Sequence, residues 1–236
     1  MKKSHIATLI VFLVLIPLTL ILGSRLSGRA FYVTSTLVIV ELLIPFFLAF
    51  EGRRPQAREL VVLAVMCALA VAGRVAIPFP NFKAIFGIIM IAGIAFGPES
   101  GFLVGAISAL ASNFFYSQGP YTPWQMMAYG AGGMLAGFVF AQGRLPRKPV
   151  TMGIFGFLAV AFFVGPLLDT CSVFLVMSGI SLKGAMAFYI SGFPVNLRQA
   201  VATAIVLLVL GKPLLEKLDR IKTKYGILDD EGRKEA

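Results

Sequence analysis

The sequence predicts an all-α integral membrane protein. Hydrophobic residues make up 58% of the chain and charged residues only 14%, and the mean hydropathy is +0.88. These values lie outside the range of soluble globular domains. A bilayer core about 30 Å thick needs roughly 20 apolar residues per helical crossing, so the chain has room for about eight crossings. Little length remains for a soluble catalytic domain.

Eight apolar segments lie at about 6–22, 32–50, 59–77, 84–97, 100–116, 123–141, 150–178 and 187–210. All should be helical, because a backbone in contact with lipid must satisfy its own hydrogen bonds. The first resembles a signal peptide, but another apolar segment follows at once, so we interpret it as a retained helix. Gly97-Pro98 separates the two short segments, which form either a hairpin of two spans or one re-entrant pair. Gly165-Pro166 predicts a kink in the longest segment.

The basic residues predict the orientation. With a cytoplasmic N-terminus, fifteen of the 21 lie on the inside: Lys2, Lys3, Arg53, Arg54, Arg58, Arg144, Arg147, Lys148 and seven from Lys212 onward. Four lie outside, namely Arg25, Arg29, Lys83 and Lys183. This asymmetry places both termini in the cytoplasm. The polar C-terminal run from Lys212 is either an amphipathic helix, interfacial or docking on a partner, or a solvated basic tail, and we favour the tail.

Four polar residues inside apolar segments fall at a similar depth. At about 1.5 Å of rise per residue, they lie roughly 20 to 28 Å from the inner face: Arg74, Asn113, Asp169 and Arg198. A charge in hydrocarbon costs about 2.5 to 3.5 kcal/mol even on lenient scales, so such groups normally face a protein interior or a wet cavity. The sequence therefore predicts a polar cavity that opens outward.

The outer connections add further candidates for this cavity: Asn81, Lys83, Tyr116, Gln118, Tyr121, Thr122, Trp124 and Gln125. The aromatic residues could instead belong to the belt at the membrane interface. Asp169 and Arg198 could form a structural ion pair, and Arg74 could reach outward along its aliphatic stem. Glu41 lies near the middle of the second segment, away from this cluster, and should pair with or face a neighbouring helix.

Small residues recur at a spacing of four in three places: Ala64, Ala68 and Ala72; Gly97, Gly101 and Gly105; and Gly133 and Gly137. In lipid, such rows let helix backbones approach and gain van der Waals contact. We expect the glycine rows to pack inside the molecule. The alanine row is a contact face whose partner could lie in this chain or in another.

Several kinds of chemistry lack their residues. The chain has no G-x-x-x-x-G-K-[ST] loop for ATP, and its only histidine is His5, so histidine-based catalysis and H-E-x-x-H metal sites are not expected. Cys67 and Cys171 are read as small buried hydrophobes. Glu41 and Asp169 could serve a proton-coupled carrier, although the chain lacks the two-fold internal similarity common in such carriers. We expect no enzyme, no metal site and no cofactor.

Three motifs together are specific enough to indicate a family: the loop PNFKA, the hairpin AFGPESGFLVGA and the stretch QGPYTPWQM. From about Leu60 to Leu218 the chain resembles the substrate-binding S components of energy-coupling factor (ECF) vitamin importers, most closely the cobalamin-associated group. The resemblance implies a six-helix core over residues 58–218. Two extra helices over residues 1–57 would precede this core, and a polar cytoplasmic tail over residues 219–236 would follow it.

The resemblance also implies a division of labour. An S component in the cell membrane captures a vitamin-like molecule on the outside, while a transmembrane coupling protein and two cytoplasmic ATPases drive its release inside. The family's small-residue motif would fall on Ala64, Ala68 and Ala72, which favours a contact with the coupling protein. The expected ligand-lining residues are Asn81, Lys83, Asn113, Tyr116, Gln118, Tyr121, Trp124, Gln125, Asp169 and Arg198. A corrinoid is the first choice of ligand, and another vitamin, its precursor or a queuosine-like base would suit the same architecture. The alternative function is a standalone ion- or proton-coupled carrier, and the third is a structural or assembly membrane protein.

Overall fold

A computed structural model describes residues 10–16, 18–19, 22, 30–52, 56–77, 79–177 and 181–227. All regular secondary structure within these ranges is helical, which confirms the all-α prediction. A π-helical segment, Val11–Leu15, comes before seven longer helices. These are α1 (Ala30–Gly52), α2 (Ala57–Val75), α3 (Ile85–Phe96), α4 (Pro98–Tyr116), α5 (Thr122–Ala136, extended by a π turn at Gly137–Ala141), α6 (Pro149–Val176) and α7 (Leu182–Tyr225).

The predicted segments agree with α1 to α6 to within a few residues at each end. Within the described ranges, α6 and α7 are long and apolar enough to cross a membrane. The chain reverses between α3 and α4 at Gly97, which ends α3 with φ 95°. The two helices then lie very close together, because a Cβ added to Gly101 would be only 2.7 Å from the Cα of Gly93. A left-handed backbone of this kind favours glycine, so Gly97 serves the turn.

Two π turns occur where a proline interrupts a long helix. In α6 the π turn Val160–Val164 directly precedes Gly165-Pro166, and in α7 the π turn Leu207–Gly211 precedes Pro213. Proline lacks an N–H and its ring clashes with the carbonyl four residues earlier. A wider turn accommodates that clash. At the expected kink the chain therefore stays helical and widens into a π turn.

Helix α3 is the centre of the bundle. All 12 of its residues are buried, and it contacts α2, α4, α5, α6 and α7. Its run of isoleucine, methionine and phenylalanine fills the core. Helix α3 rises about 18 Å. Its two ends define the two ends of the bundle. We call the end near Ile85 the cavity end and the end near Phe96 the tail end.

Glycines bring α3, α4 and α5 into direct backbone contact. A Cβ added to Gly133 would lie 2.3 Å from the carbonyl oxygen of Gly101, and one added to Gly105 would lie 2.4 Å from that of Tyr129. A Cβ on Gly137 would lie 2.6 Å from the Cα of Pro98. These contacts confirm that the glycine rows pack inside the molecule. Gly97 is the exception, because a Cβ there would meet nothing within 4 Å.

The C-terminal run departs from the solvated tail that we favoured. Helix α7 continues without a break to Tyr225, so the expected boundary at residue 218 lies inside a helix. Leu215 and Leu218 are buried, and the Nζ of Lys222 donates a 2.7 Å hydrogen bond to the carbonyl oxygen of Ala95. The favoured prediction was wrong as far as Tyr225, because the apolar face of this helix packs across the tail end of α3 and its basic face remains exposed.

We expect Gly133→Ala to lower the free energy of unfolding by about 3 kcal/mol or more, at the upper end of the usual cost of overpacking. The new methyl group meets a backbone carbonyl on α4, which cannot rotate away as a side chain could. Thermal unfolding in detergent, followed by circular dichroism, measures the effect. Val201→Ile adds one carbon at an exposed position of α7 and is the control. Equal midpoints for the two variants would show that α4 and α5 are not closely packed.

Candidate functional site

A cavity of about 540 Å³ opens at the cavity end of the bundle. Its polar and aromatic lining residues are Arg74, Asn81, Lys83, Phe86, Tyr116, Tyr121, Gln125, Tyr129, Asp169, Ser172, Asn196 and Gln199. Its remaining lining residues are Ile85, Leu168, Cys171, Leu175, Val176 and Val195. The wall thus takes residues from α2 to α7 and from two connections. Cavities of about 300 to 1,000 Å³ with a few convergent polar groups are typical of small-molecule sites.

Arg74, in the last turn of α2, holds one side of the cavity in place. Its Nη1 donates hydrogen bonds to the hydroxyl of Ser112 and, at 2.8 Å, to Oδ1 of Asn113. Its guanidinium carbon lies 4.9 Å from the ring centroid of Tyr116 and 5.7 Å from that of Tyr129. Aromatic faces at these distances stabilise a cation. Arg74 therefore faces the protein interior, not the membrane surface.

Asn113 connects this arginine to the start of α5. Its side chain is fully buried, and its amide nitrogen donates to the hydroxyl of Thr122 at 3.1 Å and to Oε1 of Gln125 at 2.8 Å. Thr122 in turn donates to Oε1 of Gln118 at 2.9 Å. A connected network of hydrogen bonds around a buried amide fixes the positions of its side chains. Asn113 thus lies behind the wall and sets the position of Gln125 in it.

On the opposite side, α6 and α7 bring a carboxylate and two amides together. Asn196 donates a 2.7 Å hydrogen bond to Oδ2 of Asp169. This pair is possible because α7 has Gly192 where α6 approaches, and a Cβ there would lie 2.1 Å from Oδ1 of Asp169. Gln199, one turn after Asn196, also lines the cavity, and its buried Oε1 accepts no hydrogen bond from any described residue.

The connection between α2 and α3 supplies Asn81 and Lys83. Asn81 has φ 59°, a conformation that asparagine tolerates better than most residues. The Nζ of Lys83 donates to the carbonyl oxygen of Ile77 near the end of α2. Below this loop the rings of Phe86 and Tyr129 pack edge to face with centroids 4.6 Å apart. The cavity therefore combines two cations, one carboxylate, amides and flat aromatic surfaces.

Six of the ten residues expected to line the cavity do so: Asn81, Lys83, Tyr116, Tyr121, Gln125 and Asp169. Asn113 and Gln118 belong to the network behind it. Trp124 is buried against Phe174, with ring centroids 5.4 Å apart, and faces neither the cavity nor the surface. Arg198 is exposed on α7, and no ion pair joins it to Asp169 in the described part of the chain. Arg198 lies at the depth of the cavity, but on a side of α7 that does not face the cavity.

Among the polar and aromatic lining residues, sequence reasoning missed Phe86, Tyr129, Ser172, Asn196 and Gln199. The two aromatic residues lie within long apolar runs, where nothing separates a cavity residue from a core residue. Asn196 and Gln199 were detectable, because two amides one turn apart inside an apolar segment mark a polar helix face. Arg198, which lies between them in sequence, carries the only charge there and led the prediction to the wrong side of α7.

The alanine row lies on the open side of α2. Ala64, Ala68 and Ala72 are all exposed, whereas Leu63, Met66 and Ala70 of the same helix are buried against the core. The described helices therefore leave this face uncovered. The interpretation in which the row contacts another helix of this chain finds no support among them.

One of the comparisons with known proteins shows a transporter family. A family model described as "ECF-type riboflavin transporter, S component" matches residues 55–216. The chain is also 29% identical over 161 residues to UPF0397 protein YdcD of Lactococcus lactis subsp. lactis (strain IL1403), which covers 65% of this chain and 84% of that protein. No solved structure matches.

We expect Asn113→Leu to lower the free energy of unfolding by about 3 kcal/mol, because it removes the hydrogen bonds that Arg74, Thr122 and Gln125 make with one buried side chain. Gln118→Leu is the matched control. It removes an amide from the same network at an exposed position and should cost about 1 kcal/mol or less. Thermal unfolding of both purified variants measures the difference. Similar losses would mean that Asn113 is not the centre of the network.

Proposed function

Because the chain belongs to the S components of ECF-type transporters, we propose that it captures a flavin-like micronutrient in the cavity beside Arg74. S components are membrane-embedded, substrate-binding subunits of these transporters. The proposal adds to this family assignment the ligand, the site, the orientation and the partners of the chain.

The observation that carries the proposal is Gln199, which lines the cavity and whose buried Oε1 receives no hydrogen bond from any described residue. A buried acceptor of this kind is normally satisfied by water or by a ligand. Asn196 lies one turn before Gln199 on α7, and Asp169 of α6 accepts a hydrogen bond from Asn196. An N–H or O–H group of a ligand would therefore meet several acceptors together. The rings of Phe86, Tyr116 and Tyr129 offer flat surfaces for a planar ring system.

Size favours a flavin over the corrinoid suggested by the motifs. Riboflavin combines a planar three-ring system, rich in nitrogen and oxygen, with a short polyhydroxyl chain. A cavity of about 540 Å³ suits a ligand of this size. A corrinoid, with its macrocycle and long side chains, is several times larger and would need a much wider cavity. The name of the matching family supports the same choice.

The cavity end faces the outside in this proposal, and both termini lie in the cytoplasm with about eight spans between them. Basic side chains support this orientation. At the tail end, Arg144, Lys148, Lys217, Arg220 and Lys224 are all exposed. Positively charged residues accumulate on the cytoplasmic side of membrane proteins. A ligand would then enter from outside and meet Arg74 and Asp169 within the bundle.

Transport would depend on other subunits. The chain has no ATP-binding loop, so a transmembrane coupling protein and two cytoplasmic ATPases would supply the energy. We place the contact with the coupling protein on the exposed row Ala64, Ala68 and Ala72. Small residues let a partner helix approach closely in lipid. The same helix carries Arg74 into the cavity.

The purified protein should bind riboflavin, and Gln199→Leu should weaken binding about five-fold, the effect of losing one hydrogen bond of about 1 kcal/mol. Quenching of riboflavin fluorescence in detergent measures the affinity. Gln142→Leu changes the same residue type at an exposed position near the tail end and should bind like the wild type.

Cobalamin is the second probe in this assay, because the motifs resemble the cobalamin-associated group. Binding of cobalamin without riboflavin would overturn the flavin proposal while leaving the family assignment intact. Riboflavin transport by the chain alone in liposomes, with no ATPase present, would instead support the standalone carrier.

We expect Ala68→Trp to abolish riboflavin uptake in cells while the purified variant still binds riboflavin. The bulky ring prevents close approach of a partner helix, but Ala68 does not line the cavity. Ala187→Trp places the same ring on an exposed alanine of α7 and should leave uptake unchanged. If uptake persists in Ala68→Trp, the alanine row is a lipid-facing surface.

A further inference from the structure

Helix α1 lies outside the region that matches the family and packs against the back of the cavity wall. We infer that α1 is a second layer of this wall and positions Tyr121, Cys171 and Leu175 for the ligand. The inference rests on the proposed function for the identity of that ligand. The position of the wall can be tested without any ligand.

Three side chains have the cavity on one side and α1 on the other. Ile39 of α1, Trp124 of α5 and Cys171 of α6 form a buried cluster, with Tyr121 and Leu175 packed against it. Tyr121, Cys171 and Leu175 also line the cavity. A displacement of Ile39 would therefore change the cavity through one layer of side chains.

Trp124 packs in the same cluster as Ile39 and the residues of the cavity wall, and so connects the two. It is only 8% exposed, and its ring packs on Phe174 in the same cluster as Ile39. Its indole N–H has no acceptor among the described residues, so packing, not a hydrogen bond, holds the ring in place. Removing the side chain of Ile39 would leave Trp124 free to tilt away from the cavity wall. In a close-packed interior, neighbouring side chains follow such a shift.

A second contact restrains the connection between α4 and α5. The hydroxyl of Thr36 on α1 donates a 3.4 Å hydrogen bond to the carbonyl oxygen of Pro120. Pro120 directly precedes Tyr121 in the wall. Within this connection Ser117 has φ 82°, an unusual conformation for a residue with a side chain. The contact with Thr36 thus restrains a connection whose backbone is strained.

The remainder of α1 is anchored away from the cavity. The ring of Phe46 stacks on Phe102 of α4 with centroids 4.2 Å apart, and Leu43 and Phe47 pack in the same cluster. On the opposite side of α1, Oε1 of Glu41 accepts a 2.5 Å hydrogen bond from the hydroxyl of Thr19. A polar contact between helices in lipid favours their association. A change at Ile39 should therefore loosen the wall without detaching α1.

Lipid could not replace α1 in this role. Without the helix, Trp124 and Cys171 would face mobile acyl chains, which fill space but hold no fixed shape. A binding wall needs side chains held by a fixed layer behind them. Helix α1 supplies that layer on the side of the cavity formed by α5 and α6.

The test uses the full chain with Cys67→Ser, which leaves Cys171 as the only thiol. Trp124 is the only tryptophan, so its emission reports on the cluster directly. In Ile39→Ala, ligand-free protein should show red-shifted emission and several-fold faster modification of Cys171 by a small methanethiosulfonate. Riboflavin affinity of the monodisperse fraction should fall about tenfold, which corresponds to about 1.4 kcal/mol.

Two variants serve as controls. Val40→Ala shortens the neighbouring side chain, which is 41% exposed, and should change none of the three readouts. Ile39→Leu keeps the side-chain volume and should restore them. If Ile39→Ala does not fold, Thr36→Val releases the connection at Pro120 and is judged by the same measurements.

The outcomes separate this inference from the proposed function. Red-shifted emission with an unchanged rate of Cys171 modification would overturn the inference, because the cluster would then loosen without moving the wall. Unchanged riboflavin affinity in a variant with a faster rate would also overturn it, since the wall would not serve the ligand. If the parent protein does not bind riboflavin, the flavin proposal fails, and the rate of Cys171 modification alone decides whether α1 holds the wall.

Discussion

The guanidinium of Arg74 lies within an apolar bundle, and much of the cavity depends on how it is accommodated. A partly buried cation is stabilised where acceptors and aromatic faces replace the water that it has lost. Ser112 and Asn113 provide the acceptors, and Tyr116 and Tyr129 provide the rings. Asn113 can accept from the arginine only if its amide nitrogen points towards α5, where Thr122 and Gln125 take it up. The charge on α2 thereby determines the arrangement of the first turn of α5.

The sequence predicted the depth of the site along the helices better than it predicted which side of each helix faces the site. Helical rise is constant, so counting residues from the end of a segment placed Arg74, Asn113 and Asp169 at one level, and all three lie in or directly behind the cavity wall. Direction depends on the rotation of each helix about its axis, which depends on packing. On α7, Asn196 and Gln199 turn inward while Arg198 turns outward. A single charged residue is a weaker guide to the polar face than two amides one turn apart.

Other features required the fold itself. Trp124 lies at the start of α5, in a stretch rich in aromatic residues, and sequence alone offered only a lipid-interface or a ligand role. Its actual neighbours, Ile39 and Phe174, come from helices that are distant in sequence. For a similar reason, the sequence left a helix over the docked part of α7 as only the less favoured alternative. Its sequence is polar overall, and its narrow apolar face has a purpose only because the end of α3 lies beneath it.

Helix α2 carries both the proposed contact with the coupling protein and a residue of the proposed ligand site. Its alanine row and Arg74 lie about 120° apart around the helix, at 3.6 residues per turn. One face is therefore open to a partner while the other reaches the cavity. A ligand that alters the contacts of Arg74 with Asn113 or Tyr116 must change the forces on the last turn of α2, where Ala72 also lies. A helix cannot rotate one face without moving the other. Occupancy of the cavity would thus be felt at the alanine face without a separate pathway through the core.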